Sequence, residues 1–164
     1  MNIQLEQIFN LEGSKKEFDF IFEPEYSLSD DISLDAPGIA VSGKIENNTG
    51  IVSLSAKAKF SATVVCSRCT EEFKKDFTVD IEHLLAKRLE NDDNDDYIIV
   101  ENSSLDLATL VSEDVIFSLP LRFLCDEECK GLCSKCGKNL NDGPCDCKKD
   151  VDPRMAALLQ LLED

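Results

Sequence analysis

Eight cysteines arranged in short-range pairs constrain this chain more than any other feature. Six fall in one stretch, Cys125-Asp-Glu-Glu-Cys129-Lys-Gly-Leu-Cys133-Ser-Lys-Cys136-Gly137, closed by Cys145-Asp-Cys147. The other two form Cys66-Ser-Arg-Cys69, far upstream. Two thiolates separated by two residues both reach one Zn²⁺ without straining the loop, because a Zn–S bond is about 2.3 Å. Eight thiols therefore suffice for two tetrahedral sites with none left over. Any site that includes Cys66 and Cys69 forces the fold to close a long loop.

Compartment decides how cysteines are used. Met1-Asn-Ile-Gln-Leu-Glu has neither the basic nor the apolar stretch of a secretory leader, and no apolar run reaches the roughly 18 residues a membrane helix needs. A cytoplasmic chain with no membrane partner is expected. In a reducing compartment, paired cysteines read as metal ligands or redox groups rather than structural disulfides.

Cys133-Ser-Lys-Cys136-Gly137 is the better knuckle. Gly137 permits a positive φ that turns backbone N–H groups toward the sulfurs. Asn139, Asn141, Asp142 and Gly143-Pro144 are turn formers that return the chain at Cys145 and Cys147. Cys66, Cys69, Cys125 and Cys129 then form the second set, a staple tying two distant segments. The competing arrangement joins Cys66/Cys69 to Cys133/Cys136 and leaves Cys125, Cys129, Cys145 and Cys147 together. Loop-closure entropy grows slowly with length and prefers the local set only modestly. One zinc with four free thiols is a further arrangement. All-sulfur sets suit zinc or iron–sulfur, and these spacings are not those of ferredoxins, so zinc is expected, in two structural sites.

A catalytic zinc keeps one position open and commonly uses His or carboxylate. Here the ligands are all thiolate, and the single histidine, His83, lies off the motifs. No nucleophile elbow, P-loop or dinucleotide fingerprint is present. The chain reads as non-enzymatic, with no catalytic residue and no small-molecule substrate. A hydrolase would need an open coordination position. A redox-responsive zinc chaperone or thiol switch is the alternative, since lysines beside Cys133 and Cys136 favour thiolate.

The net charge is −16, and residues 90–118 carry nine acids and no base. Such a chain is repelled by polyphosphate at long range, so non-specific nucleic-acid affinity is weak. Arg68, Lys130, Lys135 and Lys138 sit inside or beside the cysteine loops. They either offset the formal −2 of a four-thiolate zinc or form a patch that contacts a partner. Aromatic residues near the cysteines are few, which speaks against single-strand stacking.

Residues 1–89 read mainly as strand. Phe18, Phe20 and Phe22 share one face, as do Ile39, Val41, Gly43 and Ile45. Asn47-Asn48-Thr49-Gly50 is a turn, and Val52 to Val64 alternates apolar with polar. Phe73 to Ile81 alternates again, which places Cys66-Ser-Arg-Cys69 at a hairpin tip. Residues 90–96 read as a solvated acidic loop, and Tyr97 to Val100 as a short strand. A helix is expected over 103–119, with Ser103 and Asp106 in capping-box spacing and Pro120 as its stop. The zinc-binding segment is 125–147. Asp152-Pro153 starts a C-terminal helix over 153–162, with Met155, Leu158, Leu159 and Leu162 in a stripe. The expected fold is α+β in one domain: a twisted antiparallel β-sheet or partial barrel with a helix, a cysteine-rich lobe and a C-terminal helix.

These residues also carry a family resemblance. Leu11-Glu-Gly13-Ser-Lys-Lys-Glu-Phe18-Asp-Phe20, Cys66-Ser-Arg-Cys69 with Phe73, Leu119-Pro120-Leu121, the run Cys129 to Asn141, and Asp152-Pro153-Arg154-Met155-Ala156-Ala157-Leu158 together resemble the YceD (DUF177) family across essentially the whole chain. The resemblance implies a ribosome biogenesis role, in accumulation of large-subunit (23S) ribosomal RNA. It implies a 23S rRNA precursor, a large-subunit ribosomal protein, or both as partners. Arg68, Lys130, Lys135 and Lys138 are the candidate partner-contacting residues.

Overall fold

The alternation over Ile51–Val65 becomes the longest strands of the molecule. The computed structural model describes residues 1–25, 28–29, 31–87 and 97–147. In chain order the elements are β1 (Asn2–Gln4), α1 (Glu6–Asn10), β2 (Lys15–Phe22), β3 (Ile32–Leu34), β4 (Ile39–Asn48) and β5 (Ile51–Val65), followed by β6 (Glu72–Ala86), β7 (Tyr97–Ile99), β8 (Ser104–Asp106) and α2 (Leu107–Ser118). The main sheet runs β2-β4-β5-β6-β7 and curls as a half-barrel; β1 and β8 form a separate antiparallel pair. All pairings are antiparallel except β6 with β7. Two partners share one edge of β5. β4 covers its first part and β3 its last, where Ile32 faces Val64.

Period-two side chains put Val52, Leu54, Ala58, Ala62 and Val64 on the buried face, with Ile39, Val41 and Ile45 from β4 and Ile81 from β6. Burying each large apolar side chain contributes about 1.5–3 kcal/mol. Helix α2 covers this face with Leu107, Val111 and Val115, all buried, and packs on β6. His83 Nε2 lies 2.8 Å from Asp114 Oδ2 at that junction. Buried Asn47 donates to the Ile8 carbonyl at 2.7 Å and accepts from the Gly50 N–H at 3.0 Å, which fixes α1 onto the β4–β5 turn.

The Phe18/Phe20/Phe22 face, the 47–50 turn, the strand at Tyr97 and the hairpin tip at Cys66–Cys69 form as the sequence implies. The helix start does not. Asp106, not Ser103, is the N-cap, accepting from the Ala108 N–H at 3.0 Å. Residues 104–106 are claimed by pairing with β1, and the Ser103 carbonyl accepts the Leu5 N–H at 2.7 Å. Asn102 and Ser103 take positive φ, 52° and 55°, which no helix start allows. The helix therefore occupies Leu107–Ser118 rather than 103–119. The acidic run at 90–96 and the C-terminal helix expected at 153–162 lie outside the described residues. No helix among the described residues is long and apolar enough to cross a membrane.

Candidate metal centres

The β5–β6 hairpin ends in a tight knuckle. The Cys66 N–H donates to the Glu71 carbonyl at 2.9 Å, and the Thr70 N–H to the Cys66 carbonyl at 2.9 Å. This turn presents Cys66 and Cys69, both buried, on one side. After α2 the extended conformation at Leu119, followed by Pro120, ends the helix and sends the chain toward this tip. Phe123 is the anchor: it is buried, and its ring meets Phe77 edge-on at 6.0 Å, with Phe77 stacked on Phe60 at 5.0 Å. Cys125 and Cys129 follow directly.

Two sets of four thiols result, Cys66, Cys69, Cys125 and Cys129, and Cys133, Cys136, Cys145 and Cys147, the sulfurs of each set lying within 4.8 Å of one another. This is the arrangement in which the distant pair clamps Cys125 and Cys129 and the local four close on themselves. In the clamp set the Cys66 and Cys129 sulfurs are 3.8 Å apart, and those of Cys69 and Cys125 3.6 Å. A disulfide would hold them at about 2.05 Å. The edge of a tetrahedron around an ion with bonds of about 2.3 Å is about 3.8 Å. These two separations match that edge. Both sets could hold a metal ion.

The electrostatics point the same way. Burial opposes the Cys66 thiolate, but N–H groups of Cys125, Cys69 and Arg68 aimed at its sulfur outweigh it and bring that thiol down to about 6. The Cys125 N–H is 3.5 Å from this sulfur. Cys133 is brought down to about 6 by the N–H groups of Cys136 and Lys135, with help from the Cys145 and Cys136 thiols. Loss of hydration, then the Cys69, Cys129 and Cys66 sulfurs, pushes Cys125 up to about 12. Cys147 is pushed up to about 12, first by its hydrogen bond with Cys136 and then by burial. Each set thus contains a thiol that ionises readily and one that resists, because four negative sulfurs repel one another in so small a volume. A divalent cation removes that conflict.

The lobe set sits on the clamp set through backbone bonds. The Leu132 N–H donates to the Arg68 carbonyl at 3.1 Å and the Leu140 N–H to the Gly131 carbonyl at 2.9 Å. Within the lobe, the Gly137 N–H donates to Cys133 O at 2.9 Å, with Gly137 at φ 71°, the turn its sequence position predicts. The Arg68 guanidinium donates to the Cys129 carbonyl at 2.8 Å and Lys138 Nζ to the Pro144 carbonyl at 2.9 Å. Arg68, Lys130, Lys135 and Lys138 are all exposed around the two sets. His83 belongs to neither set. Sequence reading missed five contributors. Glu71 accepts from Asn139 Nδ2 at 2.9 Å, and Asn141 Nδ2 donates to the Cys129 sulfur at 3.3 Å. Ser67 bonds Phe123, and Gly131 lets the backbone pass close to Arg68. The asparagines were visible only as turn formers, because their partners lie in other segments.

The fold and these clusters define a β-rich protein with two four-thiol sets able to hold metal ions, one joining the tip of its longest hairpin to a cysteine-rich lobe and the other within that lobe. The family model described as "Large ribosomal RNA subunit accumulation protein YceD" matches residues 54–162, a span that takes in all eight cysteines. The chain belongs to that family. It is 29% identical over 139 residues to "Uncharacterized protein YlbN" of Bacillus subtilis, covering 83% of this chain and 80% of that one. It is 36% identical over 50 residues to "Large ribosomal RNA subunit accumulation protein YCED homolog 1, chloroplastic" of Arabidopsis thaliana, covering 30% of this chain and 16% of that one. An uncharacterised Mycobacterium tuberculosis protein is 29% identical over 101 residues, 59% of this chain and 49% of its own. No solved structure matches.

Proposed function

We propose that the protein is a non-enzymatic, cytoplasmic ribosome biogenesis factor that supports accumulation of large-subunit (23S) ribosomal RNA. The observation that carries this reading is a family match enclosing both four-thiol sets. Zinc is the ion the sets suit, since all-thiolate tetrahedral coordination favours it and leaves no open position for water. The ions serve as structure. One fixes the hairpin tip to the segment after α2, and the other shapes the lobe. Their joint effect is to hold Arg68, Lys130, Lys135 and Lys138 on one rigid surface. Arg68 and Lys138 each use part of their donor capacity on carbonyls and keep their charge for a partner. The acidity of the whole chain, −16, favours a basic large-subunit ribosomal protein, alone or with the rRNA precursor, over naked RNA.

Affinity purification from host lysate, with and without nuclease, tests the partner. Retention of a large-subunit protein after nuclease is expected, and loss of every ribosomal partner overturns the protein-partner version. Depletion of the protein should lower 23S rRNA relative to 16S rRNA; an unchanged ratio overturns the biogenesis reading itself.

A further inference from the structure

The structure contains a side chain that reaches from the loop between the lobe's cysteine pairs to a thiol of the clamp set. Asn141 lies between Cys136 and Cys145, so its position in the chain belongs to the lobe set. Yet its Nδ2 donates to the sulfur of Cys129, in the clamp set, at 3.3 Å, and its Oδ1 accepts the N–H of Lys130 at 2.8 Å. These partners admit only one amide orientation, because an N–H must meet the oxygen and a thiolate must meet the NH₂. The loop carrying it is strapped down on both sides. Asn139 Oδ1 accepts the Asn141 N–H at 3.0 Å, Asn139 Nδ2 reaches Glu71 at 2.9 Å, and the Leu140 N–H reaches the Gly131 carbonyl at 2.9 Å. Leu132 and Asn139 form a bridge between the two arms of the lobe.

We propose that Asn141 is a positioning residue that couples the two sets. Ion binding by Cys133, Cys136, Cys145 and Cys147 closes the loop between the lobe's two cysteine pairs, and that closure delivers the Asn141 carboxamide to Cys129. A hydrogen bond to a ligating thiolate spreads its charge and holds it in place. Loss of such a supporting contact costs metal affinity roughly ten- to hundredfold. The clamp set therefore holds its ion fully only when the lobe set is filled. This rests on the reading that both sets hold zinc.

The full-length protein loaded with Zn²⁺ tests it. Native mass spectrometry counts the ions, and a chromogenic chelator measures how fast each leaves. Cys133→Ser combined with Cys136→Ser disables the lobe set, so the clamp ion is followed alone. Its extraction should be roughly ten- to hundredfold faster than in wild type, and Asn141→Ala alone should give a similar acceleration of the clamp ion. Asn141→Asp should be at least as fast as Asn141→Ala, since a carboxylate still accepts the Lys130 N–H but donates nothing to sulfur and sets a like charge beside the Cys129 thiolate. Adding Asn141→Ala to the lobe-disabled protein should change nothing further. Amide exchange protection across β5 and β6 serves as the control for an intact fold. Wild-type retention by Asn141→Ala or Asn141→Asp overturns the coupling, as do effects that multiply in the combined variant. Fewer than two ions in wild type instead overturns the metal reading on which it rests.

Discussion

The Ser67 N–H donates to the Phe123 carbonyl at 2.8 Å, and the Phe123 N–H returns to the Ser67 hydroxyl at 3.2 Å, across 56 positions of sequence. This reciprocal pair sets the segment after α2 beside the hairpin tip, with Phe123 buried against Phe77. Apolar burial and this pair of hydrogen bonds, with the Arg68 guanidinium on the Cys129 carbonyl, set Cys125 and Cys129 beside Cys66 and Cys69.

Phe123 should therefore be an anchor and its neighbour Leu121 should not. Phe123 is 5% exposed and Leu121 102%. In urea unfolding of the zinc-loaded, reduced protein, Phe123→Ala should cost about 3–5 kcal/mol. Leu121→Ala should stay within about 0.5 kcal/mol. Comparable losses would show that the linker, not the buried ring, holds the tip.

Gly131 and Gly137 share φ 71° but not surroundings. A Cβ on Gly131 would sit 2.9 Å from the Arg68 carbonyl oxygen, whereas one on Gly137 meets nothing within 4 Å. Gly137→Ala should cost only the left-handed backbone, about 1–2 kcal/mol. Gly131→Ala adds a clash at the lobe–knuckle contact and should cost more and speed zinc loss. Denaturation midpoints of the two variants decide it, and equal midpoints would refute the close approach.

Asp106 gives a pH dependence. The N-terminal ammonium of Met1, 2.9 Å away, and then the Ala108 N–H hold its carboxyl below the usual carboxylate range, even against partial burial. A depressed folded value stabilises above the unfolded value of about 3.9 and is lost as pH falls through the folded one. Asp106→Ala should cost about 1 kcal/mol near pH 7 through loss of the N-cap. The gap between variant and wild type should narrow below about pH 4. A gap constant over pH 3–7 would contradict the charge assignment.

Metal removal should act locally. The buried Cys66, Cys69 and Cys129 form a cluster separate from the large apolar core of the sheet. Chelation should raise amide exchange at 66–70 and 125–147 while β4 and β5 remain protected. Global loss of protection would mean the sheet depends on the ions.

The lobe set should also be the first to oxidise. Cys136 is exposed and Cys133, Cys145 and Cys147 half-buried, whereas three of the four clamp cysteines are buried. Under graded peroxide, thiol mapping should show lobe cysteines modified first. Zinc retention at oxidant levels that discharge known thiol switches would set aside the redox-switch alternative.

Period-two alternation in β2, β4, β5 and β6 announced the sheet because a half-buried strand writes its burial into every second residue. The C-x₂-C pairs announced the metal sets because ligand spacing is a local property. β1, β3 and β8, three residues each, are too short to carry a period, and the pairing of β1 with β8 overrode the helix cap expected at Ser103. The sequence by itself determined the hairpins, the eight ligand candidates and the location of the tip. Only the tertiary structure decided the partition into two sets, because the contacts that enforce it join distant segments. Phe123 under Phe77 brings the clamp halves together, Gly131 lets the lobe approach Arg68, and Asn141 reaches Cys129. None of these is a matter of spacing along the chain.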